Sequence, residues 1–281
     1  MSLLDQTTSG TFTDGIRMIV SGVEKVGKTT FAGQAPDSLF IPMEAGYAGI
    51  TTAKQPRIYD FQTVLGLLDE IIKACQTGKF PYKTIVFDSA TALETFIHNQ
   101  VIESDPSWIP GKPKPASLII DTCLGGYGKG HNKANDLFKV FLNKCDELAS
   151  FGKVNIIMTC HVFPATVKDP IHGDYTTYDL LLHSPKNERS YGKREMITQW
   201  ADIIGFMYEP ITVISSETGT TVGKSLTGGR VLGVSRTPGY VAGSRFKMSG
   251  EISIPLSDGW NHFAKALHDA SGIDMFNRSL K

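Results

Sequence analysis

Short apolar runs alternate along this chain with longer stretches in which apolar residues recur every three or four positions. The runs are GIRMIVSG (15–22), SLFIPME (38–44), KTIVFDSA (83–90) and VNIIMTCH (154–161). Each is too short for a core helix and is bounded by turn-forming or polar residues, which predicts four buried strands. The first enters a glycine turn and a short helix that Pro36 closes. Between the second and third, Phe61, Val64, Leu65, Leu68, Ile71, Ile72 and Cys75 share one helical face, with Asp60 placed as a cap and Gly78 as a stop. Phe138, Phe141, Leu142, Cys145 and Leu148 form a similar stripe in a helix predicted from about Asn135 to Phe151. Strands and helices alternate, the pattern of an α/β fold whose mainly parallel sheet is covered on both faces.

Two long stretches interrupt that pattern. Residues 103–133 are rich in Pro, Gly and Lys and end in GGYGKGHNK, and residues 162–193 are polar throughout. Both are too long for plain connections and lack an apolar face, so they are predicted to be irregular functional loops. QWADIIGFMYEPITVISS then resumes strand character, turn signals at ETGTT and TGG divide short β runs up to about Pro255, and Trp260, Phe263 and Leu267 predict a closing helix. One core over 16–268 is expected, with tails at 1–15 and 269–281.

Charge narrows the possible partners. Lys plus Arg equals Asp plus Glu at 28 each, so a generic polyanion binder is excluded and any nucleic-acid contact must come from local basic clusters. Cys75, Cys123, Cys145 and Cys160 form no CxxC pair or metal-like spacing, which reads as reduced thiols. No apolar run approaches the roughly 20 residues that span a bilayer, and the first residues lack a basic-then-apolar signal; no membrane partner and a cytoplasmic location are expected.

The candidate chemistry begins where the first strand ends. Gly22, Gly27, Lys28 and Thr29 fit GxxxxGK[ST] in strand-loop-helix context, so Gly22, Val23, Glu24, Lys25, Val26, Gly27, Lys28, Thr29 and Thr30 are predicted to cradle the phosphates of ATP. Lys28 would reach the β/γ oxygens and the Thr29 hydroxyl would bind Mg²⁺. Asp88, ending the TIVFD strand, is the expected second anchor for the metal; capping the next helix is an alternative compatible with that role. NKCD at 143–146 imitates a guanine-reading motif, but Cys145 belongs to an apolar helical stripe, so GTP specificity is not expected.

GVEKVGKTT resembles the RecA-type phosphate loop, and IVFDS resembles the RecA-type metal-binding strand, in which Ser follows Asp. LFIPMEAG puts Glu44 where RecA-like ATPases hold the glutamate that activates the attacking water, and IIMTCH puts His161 where they hold a polar γ-phosphate sensor. RVLGVSRTPGYVAGSRFKMSGEISIP resembles the stretch that supplies two basic residues to a neighbour's ATP; Arg245 matches the second, and Gly243 stands at the first, with Lys247 or Arg236 nearby. Together with a first strand expected as early as residue 15, GGYGKG and QWADIIGF, these features are similar to phage-encoded core-only RecA-like proteins, a group of single-strand annealing proteins and recombinases.

The resemblance implies a RecA-like core with a C-terminal β extension, and an ATPase stimulated by single-stranded DNA. It further implies self-assembly into a filament or ring with nucleotide between subunits, a single-strand-binding protein as a further partner, and work in the host cytoplasm. Alternatives are a ring motor with the same core, such as a helicase or packaging ATPase, and a nucleotide-gated adaptor that does not hydrolyse. Both long stretches fall where the RecA pattern has DNA loops; Tyr127 and Lys129 in the first, and Lys186, Arg189 and Lys193 in the second, are the candidate contacts. Phe12, with Gly15 three residues on, resembles the Phe that such proteins insert into a neighbour.

Overall fold

The computed structural model of the protein describes residues 14–109, 111–185, 191–215, 221–225 and 229–275. Phe12, Lys186 and Arg189 lie outside them. Strand β1 (Arg17–Gly22) leads through the glycine loop into α1 (Lys28–Ala32), then β2 (Ser38–Pro42) and the short β3 (Ala53–Lys54). Helix α2 (Phe61–Gln76) starts at Asp60, whose carboxylate accepts the Thr63 N–H at 2.8 Å. Next come β4 (Thr84–Asp88), α3 (Ala90–Glu103), α4 (Lys129–Ser150) and β5 (Asn155–Cys160). The remainder comprises the hairpin β6 (Val162–Val167) and β7 (Tyr175–Leu180), α5 (Lys193–Trp200), and β8 (Ile203–Tyr208). After these follow β9 (Ile211–Ser215), β10 (Thr221–Ser225), β11 (Arg230–Gly233), β12 (Gly243–Ser244), β13 (Glu251–Ile254) and α6 (Gly259–Ser271).

Among the described residues the main sheet has the order β13-β11-β8-β1-β5-β4-β2-β3. Pairing is parallel from β8 to β3, while β11 and β12 pair antiparallel with β8, and β13 with β11. Alternation along the parallel strands divides the core into two layers. Ile19, Ile41, Ile85, Phe87, Ile156 and Met158 face the buried stripes of α2, α3 and α4. Met18, Val20, Phe40, Val86 and Ile157 face α1 and α6, where Phe31 packs edge-on to Phe263. The predicted α/β fold, a mostly parallel sheet flanked by helices, is the observed one.

Three regions differ from expectation. Helix α4 begins at Lys129, so KGHNK is helical; Gly130 makes this possible, because a Cβ there would lie 2.2 Å from the Ile120 carbonyl oxygen. The second polar stretch is largely the β6–β7 hairpin, in which Thr177 and Leu180 alone of β7 are buried, too sparse an apolar face to be recognised from pattern. The C-terminal boundary also moves: α6 runs to Ser271, and beyond it Ile273 and Met275 are buried. NKCD is part of α4, where Cys145 is buried, Lys144 pairs with Asp69, and Asp146 accepts from Arg17 and from the Trp200 indole at 2.7 Å.

Candidate nucleotide site

The order β1-β5-β4-β2 brings Gly22, His161, Asp88 and Glu44 to the C-terminal ends of four adjacent strands. At Gly22, with φ of 152°, a Cβ would lie 2.3 Å from the Met207 carbonyl oxygen, so only glycine turns β1 away beside β8. The loop then returns to α1 through Gly27, with φ of 99°. Val23, Glu24 and Lys25 are exposed and Lys28 is buried. The Lys28 ammonium donates to the Gly22 and Val23 carbonyls, each at 2.8 Å. Burial holds its pKa below the ordinary lysine value, against the opposing pull of Asp88 and Glu44.

Thr29 Oγ1 donates to Asp88 Oδ2 at 3.1 Å, and Thr159 on β5 donates to Asp88 Oδ1. Burial raises the Asp88 pKa more than these two bonds and Lys28 lower it. A hydroxyl and a carboxylate side by side at a phosphate cradle are hard oxygen donors that suit Mg²⁺, which fills its other positions with water and phosphate oxygens. The helix-capping alternative for Asp88 falls instead to Ser89, whose Oγ accepts the Ala92 N–H at 3.2 Å at the start of α3.

Ser89 also donates to Glu44 Oε1, while Glu44 Oε2 lies 3.0 Å from His161 Nε2. Burial pushes the Glu44 pKa up, but the bonds from His161 and Ser89 and the charges of His161 and Lys28 outweigh it, and the net shift is downward. The carboxylate is thereby kept ionised, able to orient a water or take its proton once one oxygen is released. His161 is also the root of the hairpin: its backbone N–H donates to Thr91 Oγ1, and its carbonyl accepts the Leu181 N–H at 2.8 Å.

Two candidate residues lie elsewhere. Arg245 donates to Asp202 Oδ1 at 2.9 Å and to the Gln199 carbonyl, and Asp202 also pairs with Arg17 at 2.8 Å. Asp202 precedes β8, so this network occupies the end of the sheet opposite the phosphate loop, and Arg245 cannot reach the nucleotide of its own subunit. Lys193 requires a correction as a DNA contact. Its side chain is fully buried, with the ammonium 3.2 Å from Glu94 Oε1, because α5 packs that residue inward against α3 and α4. Tyr127 and Lys129 are exposed, Tyr127 at 99%.

The two long stretches meet α3 in a partly buried polar layer that the sequence did not announce. The rings of His131 and His183 stack at 3.6 Å, and His98 meets His131 edge-on at 5.6 Å. His131 Nε2 is bound to Asp121 at 2.8 Å, and the His183 backbone N–H donates to Glu94 at 2.8 Å. Thr159 and this layer are not among the residues expected from sequence, although Thr159 in an apolar strand is a visible signal. The histidines gave none, since they come from separate elements.

A glycine-turned loop with a buried lysine, facing a strand-end aspartate across one intervening strand, defines a P-loop nucleoside triphosphatase. A family model described as AAA domain matches residues 14–246. The chain belongs to that family of P-loop ATPases. No curated protein matches it.

Proposed function

We propose that this ATPase is a single-stranded-DNA-binding protein of phage recombination, acting in annealing or strand exchange and hydrolysing ATP at contacts between its own subunits. The observation that carries the reading is the double engagement of His161. Its ring touches Glu44, and its carbonyl holds the residue that follows the β6–β7 hairpin. A strand lying on the hairpin would therefore act directly on the group that handles the attacking water. Exposed Tyr127 and Lys129, at the start of α4, offer a stacking face and a phosphate contact on the neighbouring segment.

In this mechanism Lys28 and the loop N–H groups would hold the phosphates, and Thr29 and Asp88 would hold Mg²⁺. The metal supplies charge neutralisation on the phosphate oxygens. Glu44, freed from Ser89 or His161, orients the water and accepts its proton. Arg245, remote from its own loop, would serve the nucleotide of an adjoining subunit once it leaves Asp202. ATPase rate with and without single-stranded DNA is the test: stimulation of about tenfold or more that is lost on Tyr127→Ala with Lys129→Ala supports the proposal, whereas a DNA-independent rate removes it.

A further inference from the structure

Arg230 opens β11, remote in sequence from the phosphate loop, yet its guanidinium rests on that loop. One terminal nitrogen donates to the Val26 and Gly27 carbonyls at 3.2 and 3.3 Å, and the other reaches the Pro255 carbonyl at 3.4 Å. The approach is so close that a Cβ on Gly27 would lie 1.6 Å from that first nitrogen. The second glycine of the motif therefore leaves room for an arginine as well as for the turn. Among the described residues no carboxylate pairs with Arg230, and its buried Nε has no hydrogen-bond partner. A half-buried cation held only by carbonyls keeps most of its charge uncompensated, an arrangement that an incoming polyanion relieves.

We propose that Arg230 is a positioning residue of the nucleotide site: it braces the turn from the phosphate loop into α1 through Val26 and Gly27, and its unbalanced charge favours the phosphates of the bound nucleotide. Carbonyls of the loop held outward by the guanidinium leave the N–H groups free to face inward, where the anion sits. The brace also ties the loop to Pro255, between β13 and α6, so the terminal β region becomes part of the nucleotide site. This inference rests on the phosphate-loop reading and is independent of DNA binding.

The test compares the parent with Arg230→Ala, Arg230→Lys and Arg230→Gln, using fluorescent ADP anisotropy with ATP competition, and melting of the nucleotide-free proteins. Arg230→Ala is expected to weaken ADP at least tenfold, equivalent to about 1.4 kcal/mol. Arg230→Lys should recover most of that loss because it keeps the charge, Arg230→Gln should recover little, and the nucleotide-free melting temperatures of Lys and Gln variants should stay near the parent's. If Arg230→Ala does not fold, the Lys and Gln pair decides by the same contrast. Parent-like affinity in Arg230→Gln, or lowered melting temperatures with unchanged affinity in all variants, would overturn the proposal. Failure of the parent itself to bind ADP would instead strike the phosphate-loop reading.

Discussion

The nucleotide end of the sheet and the histidine layer of the two long segments both gather polar groups in partly buried places, but they differ in whether a key group keeps its charge. At the nucleotide end partners outweigh burial at one group: Glu44 stays ionised because Ser89, His161 and Lys28 face it, while burial prevails at Lys28 and Asp88. In the histidine layer burial prevails. His98 is pushed down to about 3, first by burial and then by the charges of Lys193, His131 and His183. His183 is pushed down to about 4 by burial, His131 and Lys193. Glu44 keeps its charge ready for a reaction, whereas His98 and His183 give theirs up where elements from distant parts of the chain pack.

That contrast predicts chemistry without stability at one end and stability without chemistry at the other. The largest effect belongs to the nucleotide end. Lys28→Ala should abolish nucleotide binding, and Glu44→Gln should keep binding while losing turnover by on the order of 10² or more, with melting of the nucleotide-free protein close to the parent's. Binding assays, steady-state rates and calorimetry check the pair; normal hydrolysis by Glu44→Gln removes that residue from the mechanism.

The next largest effect lies in the other region. Lys193→Met leaves the Glu94 carboxylate buried without its cation, with an expected loss of about 3–5 kcal/mol, and adding Glu94→Gln should recover much of it. Denaturant unfolding measures the loss, and the double variant should bind ADP as the parent does. A Lys193→Met protein of parental stability would show the pair to be idle.

The pH response of the histidine layer follows from the direction of its shifts. His98 and His183 have folded pKa values of about 3 and 4, below the ordinary 6.5. The unfolded chain therefore takes up protons first as pH falls. Stability is fully present above about 6.5 and is lost toward pH 4, by on the order of a few kcal/mol. Groups facing these rings are Glu94 on α3, Asp121 ahead of α4, His131 on α4, and Lys193 and Glu195 on α5. Melting between pH 7 and 4 should fall steeply for the parent and less for His98→Gln. Parallel curves would break the assignment.

The smallest effect tests an element that serves neither region. Asp60→Ala removes the cap of α2 and should cost about 1 kcal/mol in chemical unfolding, leaving both nucleotide affinity and pH response alone. A larger loss would mean that α2 is coupled to one of the two polar regions.

How much of this was legible beforehand follows from the range over which each feature is specified. The strands β1, β2, β4 and β5, the helix α2 from its Asp60 cap, and the loop from Gly22 to Thr29 were readable because period, cap and glycine positions are local properties. Glu44, Asp88 and His161 were readable as strand ends, and a parallel sheet necessarily brings such ends together. The start of α4 was not readable: Gly130 looks like a helix breaker until the Ile120 carbonyl is found against it. Nor was Lys193, whose basic neighbourhood suggested a surface contact while α5 turned it inward onto Glu94.

By itself, then, the sequence determined the alternation that makes an α/β fold and the phosphate-loop chemistry, since backbone periodicity and glycine conformation act within a few residues. Tertiary structure alone decided that Arg230 lies against the loop, that Asp202 holds Arg245 far from it, and that three histidines meet in one partly buried cluster. Those outcomes depend on which groups lose water together, and burial is a property of the assembled layers that no short stretch of chain contains.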